Sequence, residues 1–277
     1  MSEATPSHSG SRSELGKRVA SGVVLGLLAL GVVVLGGWPF LIFWGAAALG
    51  VFWEWEAIVA DGTPLSRGAG FVVIGLAALA AGIGRIDAAI GVLAVGAIAA
   101  LAARRRRGWH AAGIVYAGAL LLAPVLLRKD KELGVVAVMF LFAVVWATDI
   151  LGYFVGRAIG GPKLLARISP NKTWSGACGG VCGALAAGLL VVHLAGGVPL
   201  MAAAWLALAL SVVSQAGDLF ESSVKRRFGV KDASHVIPGH GGLMDRVDGF
   251  IAAAAVAALV GLSRAGSDTV ARGLLVW

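Results

Sequence analysis

The sequence predicts an all-α, polytopic integral membrane protein with about nine transmembrane helices and a cytoplasmic amino terminus. Three observations carry that reading. The 277 residues are 58% hydrophobic and only 14% charged, against about 25% charged in a soluble domain, and the mean hydropathy is +0.88. Apolar stretches recur along the whole chain, and crossing ~30 Å of hydrocarbon takes roughly 20 helical residues. The basic residues are shared unequally between alternate connections. So little charge excludes a disordered chain, and two Cys with five His exclude a disulfide scaffold or a Cys-rich zinc module.

Residues 1–17 are Ser-rich and polar, the composition of a disordered tail. The first span, 19–37, is too long for a signal-peptide core and no small-residue cleavage site follows it, so it reads as a helix. The next spans are expected at 39–60, 68–84 and 88–103, closing an N-terminal transmembrane half at 18–110. Spans at 111–127, 133–154, 176–195, 198–216 and 249–262 make up a C-terminal half, 111–277, with polar connections at 156–175 and 217–248. Breaks fall at turn-forming or charged stretches such as Asp61-Gly62-Thr63-Pro64, the arginines 104–107 and the segment 128–132, which are costly to bury in lipid. The breaks at Gly36-Gly37-Trp38-Pro39 and Gly196-Gly197 are weaker and leave eight spans as an alternative.

Connections on the cytoplasmic side are enriched in Lys and Arg. With the amino terminus inside, 17 of the 23 basic residues fall on the inner face, including both long connections of the C-terminal half. This asymmetry, together with anionic headgroups, accounts for the net charge of +8 without a nucleic-acid partner. The carboxyl terminus is then expected outside. Glycine supplies 41 residues, about twice the usual share, and the repeats Gly176-x3-Gly180 and Gly179-x3-Gly183 are of the kind that brings membrane helices into close contact. Cys178 and Cys182, one turn apart on that helix, read as small packing residues because two thiols lack the other ligands of a metal site.

The chemistry concentrates in two connections on the predicted inner face. Asp149 is the only charge in the sixth span. A carboxylate near hydrocarbon needs a partner, water or an ion, so it is either functional or a helix-end Asp paired with Arg157. Lys172 and Thr173 lack the G-x-x-x-x-G-K-[ST] spacing of a P-loop. In the second connection, if the eighth helix continues past the membrane, Asp218, Glu221, Ser222 and Lys225 share one helical face. Asp245 and Asp248 are three apart at the start of the ninth helix. Two carboxylate pairs on facing helix ends suit a hard divalent cation that keeps water and substrate phosphates as further ligands. Between them Pro238-Gly239-His240-Gly241-Gly242 lets backbone N–H groups approach an anion. Lys225, Arg226 and Arg227 also fit a solvated juxtamembrane face. Together the parts match what phosphoryl chemistry at a membrane surface requires.

The segment from Ser222 to Asp248 resembles the signature of the phosphatidate cytidylyltransferases (CDP-diacylglycerol synthases), S-x-[hydrophobic]-K-R-x4-K-D-x-[small]-x2-[LIF]-P-x-H-G-G-[hydrophobic]-x-D-R-[hydrophobic]-D, at every position. Asp149-x3-Tyr153-x2-Gly156-Arg157 and Ile168-Ser169-Pro170-x-Lys172-Thr173-Trp174 look like a second block of that family, so the resemblance covers about the last 130 residues. Ser175 and Gly249 depart from it where Glu and Ser are expected. The resemblance implies a Mg²⁺-dependent transfer of CMP from CTP to phosphatidic acid, giving CDP-diacylglycerol and pyrophosphate. One magnesium, a pair of metal ions, or Mg²⁺ with a monovalent cation are all compatible with it. It implies metal ligands at Asp218, Asp245 and Asp248. It further implies catalytic or phosphate-contacting roles for Lys225, Arg226 and Lys231, and orienting roles for Asp149 and Asp232. Substrate contacts are expected from Lys172, Ser169, Thr173, Ser222, His240, Gly241, Gly242 and Arg246. The expected setting is the inner membrane with the site facing the cytoplasm, and a homodimer is compatible with it. Rival readings are an enzyme activating another lipid phosphate with CTP, a CDP-alcohol phosphotransferase, whose D-G-x2-A-R run is missing here, and a transporter, which predicts mid-span charges and two similar halves.

Overall fold

The computed structural model describes residues 9–59, 63–102, 108–234 and 241–277, with side chains from residue 22 onward. Apolar stretches of this length satisfy every backbone polar group internally by folding as helices. In chain order they are α1 (Ser9–Leu35), α2 (Gly37–Val59), α3 (Pro64–Gly82), α4 (Ile86–Ala102), α5 (Trp109–Lys129), α6 (Gly134–Ile159), α7 (Trp174–Ala195), α8 (Leu200–Arg227), α9 (Met244–Arg264) and α10 (Val270–Leu275). Each of the nine expected spans corresponds to one of α1 to α9. Seven of these are long and apolar enough to cross a membrane, while Gly22–Leu35 within α1 and Ile86–Ala102 are shorter apolar helices. The short α10 was not expected.

Three boundaries differ from the sequence reading. Helix α1 is already formed at Ser9, inside the segment read as a polar tail. The connection 156–175 is not a plain loop: α6 continues to Ile159, and Lys163–Leu165 (β1) pairs antiparallel with Ser169–Thr173 (β2) before α7 starts at Trp174. Half of the polar segment 217–248 is helical too, since α8 runs to Arg227 and α9 begins at Met244.

Helix packing sets the frame for the site. The glycine repeats of α7 act as expected: a Cβ on Gly176 would stand 2.6 Å from the Gly152 carbonyl oxygen, and one on Gly180 would stand 2.8 Å from the Thr148 carbonyl. Bare backbone on both sides lets α6 and α7 run in contact. Helix α8 packs against both α7 and α9. The N-terminal half docks on this unit through aromatic rings. Trp44 of α2 stacks on Phe250 of α9 with centroids 4.8 Å apart; separately, the buried Trp55 indole ties α2 to the start of α5 by donating to the Trp109 carbonyl at 2.7 Å. At the opposite end Asp130 closes the α5–α6 turn by accepting from Glu132 and Leu133 N–H, each at 3.0 Å, and its second oxygen accepts from Arg272 N–H at 3.0 Å. That carboxylate ties α10 to the α5–α6 turn.

Candidate active site

The β1–β2 hairpin, the ends of α6 and α8 and the start of α9 enclose one cavity of about 910 Å³. Its lining includes Asp149 from α6, Lys172 and Thr173 from β2, Asp218 and Lys225 from α8, and Asp245, Arg246 and Asp248 from α9. The two connections singled out in the sequence therefore meet at one end of the bundle, as a shared site requires. Thr173 also caps α7, its hydroxyl accepting from Gly176 N–H at 3.1 Å, so β2 runs directly into α7. Lys172 Nζ is ion-paired with Asp218 Oδ2. Ser222, one turn further along α8, donates to Asp218 Oδ1 at 3.4 Å.

A second lysine is held from two helices. Lys225 Nζ lies 2.7 Å from Glu221 Oε2 on its own helix and 2.5 Å from Asp245 Oδ1 on α9. The other oxygen of Asp245 accepts from Ala233 N–H at 3.2 Å and Gly242 N–H at 3.0 Å. Asp245 thus pins the connection between α8 and α9 as well as the lysine. Asp248 accepts from the Gly249 N–H at 2.7 Å. Asp149 does not take the bland role of partner to Arg157; that guanidinium donates to the Tyr153 hydroxyl at 2.9 Å. Below the carboxylates a polar ladder runs into the bundle, with the Thr148 and Ser211 hydroxyls 2.8 Å apart and the Gln215 amide 3.4 Å from Ser211.

Residues 16–263 match the cytidylyltransferase family. The chain belongs to that family. The phosphatidate cytidylyltransferase of Brucella abortus is 46% identical over 264 residues, covering 90% of this chain and 94% of that protein. The phosphatidate cytidylyltransferase of Haemophilus influenzae is 41% identical over 129 residues, 45% of each chain. That of Bacillus subtilis is 41% identical over 128 residues, 45% of this chain and 47% of that protein.

Not every expected residue of this cytidylyltransferase lines the cavity. Ser169, Ser222, Arg226, Lys231, Asp232, Gly241 and Gly242 are outside its lining, and His240 lies outside the described residues. Arg226 donates to the carbonyls of Ile168 at 3.5 Å and Val230 at 3.3 Å, bracing the hairpin against the α8 end. Lys231 and Asp232 are exposed. Ser175, where the family pattern led us to expect Glu, hydrogen-bonds the Gly160 carbonyl and so closes the base of the hairpin.

Among the described residues no group of three or more His, Cys, Asp or Glu is arranged to hold a metal on its own, and Asp245 is occupied by a lysine and two amides. Magnesium, however, usually takes one or two carboxylates and fills its remaining positions with water and substrate phosphates. Asp218, which also pairs with Lys172, and Asp248 offer two such carboxylates on one cavity. Glu221 is 1% exposed with Oε2 2.7 Å from Lys225 Nζ, since a buried carboxylate is costly unless it is paired. Two carboxylates are the protein's usual share for this ion, and Asp218 and Asp248 would supply them.

Glu221, which the sequence puts on the same helix face as Asp218, also lines the cavity and is 1% exposed. Lys163, Asn171 and Gln215 also line the cavity, and nothing in their spacing singles them out.

Proposed function

We propose that this cytidylyltransferase transfers CMP from CTP to phosphatidic acid, forming CDP-diacylglycerol and pyrophosphate for phospholipid synthesis, at the cavity between the α6–α7 and α8–α9 hairpins. The observation that carries the reading is the convergence of Lys172 and Asp218 from one pair of elements with Lys225, Asp245 and Asp248 from the other on one volume. The names of the full-length relatives favour the same chemistry. The cavity faces the cytoplasm in this reading, where the basic connections and CTP both lie.

Two anions must approach each other for the reaction to occur. A phosphatidate oxygen attacks the α-phosphorus of CTP in line, the bond to the β-phosphate oxygen breaks, and pyrophosphate departs. Lys172, Lys225 and Arg246 screen the repulsion between the reactants and hold the phosphates in the attack geometry. Each lysine is preorganised by an aspartate, which fixes the ammonium before substrate arrives. A phosphate monoester already carries most of its second charge near neutral pH, so a strong general base is unnecessary. Asp218 and Asp248 would hold Mg²⁺. When bound, such an ion neutralises phosphate oxygens and charge developing on the leaving group.

The direct test is pyrophosphate release by purified protein with phosphatidic acid and Mg²⁺, comparing CTP, dCTP, ATP and GTP. Release that requires both a cytidine nucleotide and phosphatidic acid is expected. Release only with a different lipid phosphate would replace the acceptor, and absence of any CTP-dependent release would overturn the reading.

A further inference from the structure

Helix α9 carries Asp245 and Asp248, yet its own sequence caps it poorly. Its N-cap position is Leu243, which offers no side-chain acceptor, whereas helix N-termini are ordinarily closed by Ser, Thr, Asp or Asn because the first amides have no intrahelical partner. The missing acceptor comes from the other half of the chain. Glu54, near the end of α2 and 1% exposed, accepts from Leu243 N–H at 2.8 Å and from Met244 N–H at 2.5 Å. Each amide goes to a different carboxylate oxygen. The first of those oxygens also accepts from the Ser234 hydroxyl at 2.5 Å. The contacts span 180 to 190 residues of sequence.

The stretch just before α9 is shaped to admit this carboxylate. A Cβ on Gly242 would stand 3.0 Å from both Glu54 Oε1 and Asp245 Oδ2, so the bare glycine lets two acids reach the same short stretch of backbone. A carboxylate at a helix N-terminus is doubly suited to the place, satisfying amides and meeting the positive end of the helix dipole. Orientation follows as well. Two amides on two oxygens fix the helix end in position and about its axis, and Asp245 and Asp248 follow within the next turn.

We infer that Glu54 is a positioning residue of the active site: it clasps the start of α9 and so sets Asp245 and Asp248 against Asp218 and Lys225 of α8. This rests on the function proposed above. A neutral amide cannot replace the clasp, since one oxygen of Glu54→Gln becomes an NH₂ group facing a backbone N–H. A shorter carboxylate, Glu54→Asp, keeps the charge and both oxygens at reduced reach.

The test measures pyrophosphate release and amide hydrogen exchange of the full-length protein in detergent. Glu54→Gln is expected to lower kcat at least tenfold with KM for CTP within twofold of the wild type, because the phosphate-binding lysines remain. Exchange at Leu243 and Met244 is expected to accelerate at least tenfold while the amides of α3 to α5 are unaffected. Glu54→Asp should recover part of kcat, and Ser234→Ala, which removes only the hydroxyl contact, should stay within about threefold of wild type. Faster exchange at Leu243 and Met244 with unchanged kcat would make the contact structural only and overturn the proposal. If Glu54→Gln fails to fold, Glu54→Asp decides: kcat equal to wild type overturns it, and a reduced kcat at unchanged KM supports it. A wild-type protein without CTP-dependent release would remove the functional reading instead, with the exchange result still reporting on the clasp.

Discussion

Lys172 and Asp218 lie 46 residues apart in the chain and form an ion pair inside the cavity. One comes from the hairpin strand before α7 and the other from the inner part of α8, so their contact joins the two motif-bearing connections. Lys172→Met and Asp218→Asn are each expected to reduce kcat/KM by ~10²-fold, the scale for losing one preorganised charge at a phosphoryl centre. The double variant should fall little further, because residues acting as a unit are non-additive. Additive losses in a pyrophosphate-release assay would separate their roles.

Asp245 and Asp248 are three residues apart but differently employed. Asp245→Asn turns an NH₂ group toward either Lys225 or the amides of Ala233 and Gly242, leaving a donor unsatisfied at a cost of about 1–3 kcal/mol. It should lower the thermal midpoint in detergent together with activity. Asp248→Asn can retain the single bond to Gly249 N–H. It should keep the midpoint and lose activity, with a raised Mg²⁺ requirement. Equal thermal shifts for the two would contradict this division.

Glu221 is buried and shares Lys225 with Asp245, so Lys225 keeps Asp245 as a partner if Glu221 is neutralised. Glu221→Gln is therefore expected to leave the thermal midpoint unchanged or raised while activity drops about tenfold or more, the trade-off of a site that stores unfavourable burial for function. A destabilised but fully active variant would argue for a purely structural carboxylate.

The α6–α7 contact is the tightest point under the hairpin. Gly176→Ala drives a methyl group to within 2.6 Å of the Gly152 carbonyl, backbone against backbone. Overpacking of this kind costs about 1–3 kcal/mol. Since α7 begins directly after Lys172 and Thr173, kcat should fall with stability. Retention of both would mean the helices separate without moving β2.

Orientation is open to chemical labelling. Cys178 and Cys182 are exposed and are replaced first. Single cysteines at Lys163 and Lys231 should then react with an impermeant thiol reagent only from the cytoplasmic face, and one at Lys129 only from the other. Labelling of Lys163 and Lys231 from outside would invert the topology and move the site away from CTP.

The membrane class, the positions of α2 to α9 and the two segments that contribute to the cavity were legible in the sequence. Hydropathy reports directly on where helices cross, and the run from Ser222 to Asp248 carries its chemistry in consecutive letters. Local signals failed where the polar segments kept their secondary structure. The β1–β2 hairpin looks like loop because its charge density marks the end of a span, while the inner turns of α8 follow the helical continuation that puts Asp218 and Lys225 on one face. Glu54 failed for a different reason. In Trp53-Glu54-Trp55-Glu56 it reads as an acid near a span end, and nothing local says that its partners lie some 190 residues away.

The sequence alone determined that this chain is a bundle of membrane helices with acidic and basic groups gathered in two connections, because burial in lipid and helix periodicity act on neighbouring residues. Only the tertiary structure decided how those groups are shared: Lys172 with Asp218, Lys225 with Glu221 and Asp245, Glu54 with the start of α9. A buried charge takes whichever partner the packed helices bring within ~3 Å, and that distance is set by contacts such as Gly152 on Gly176 and Trp44 on Phe250, which no stretch of sequence contains.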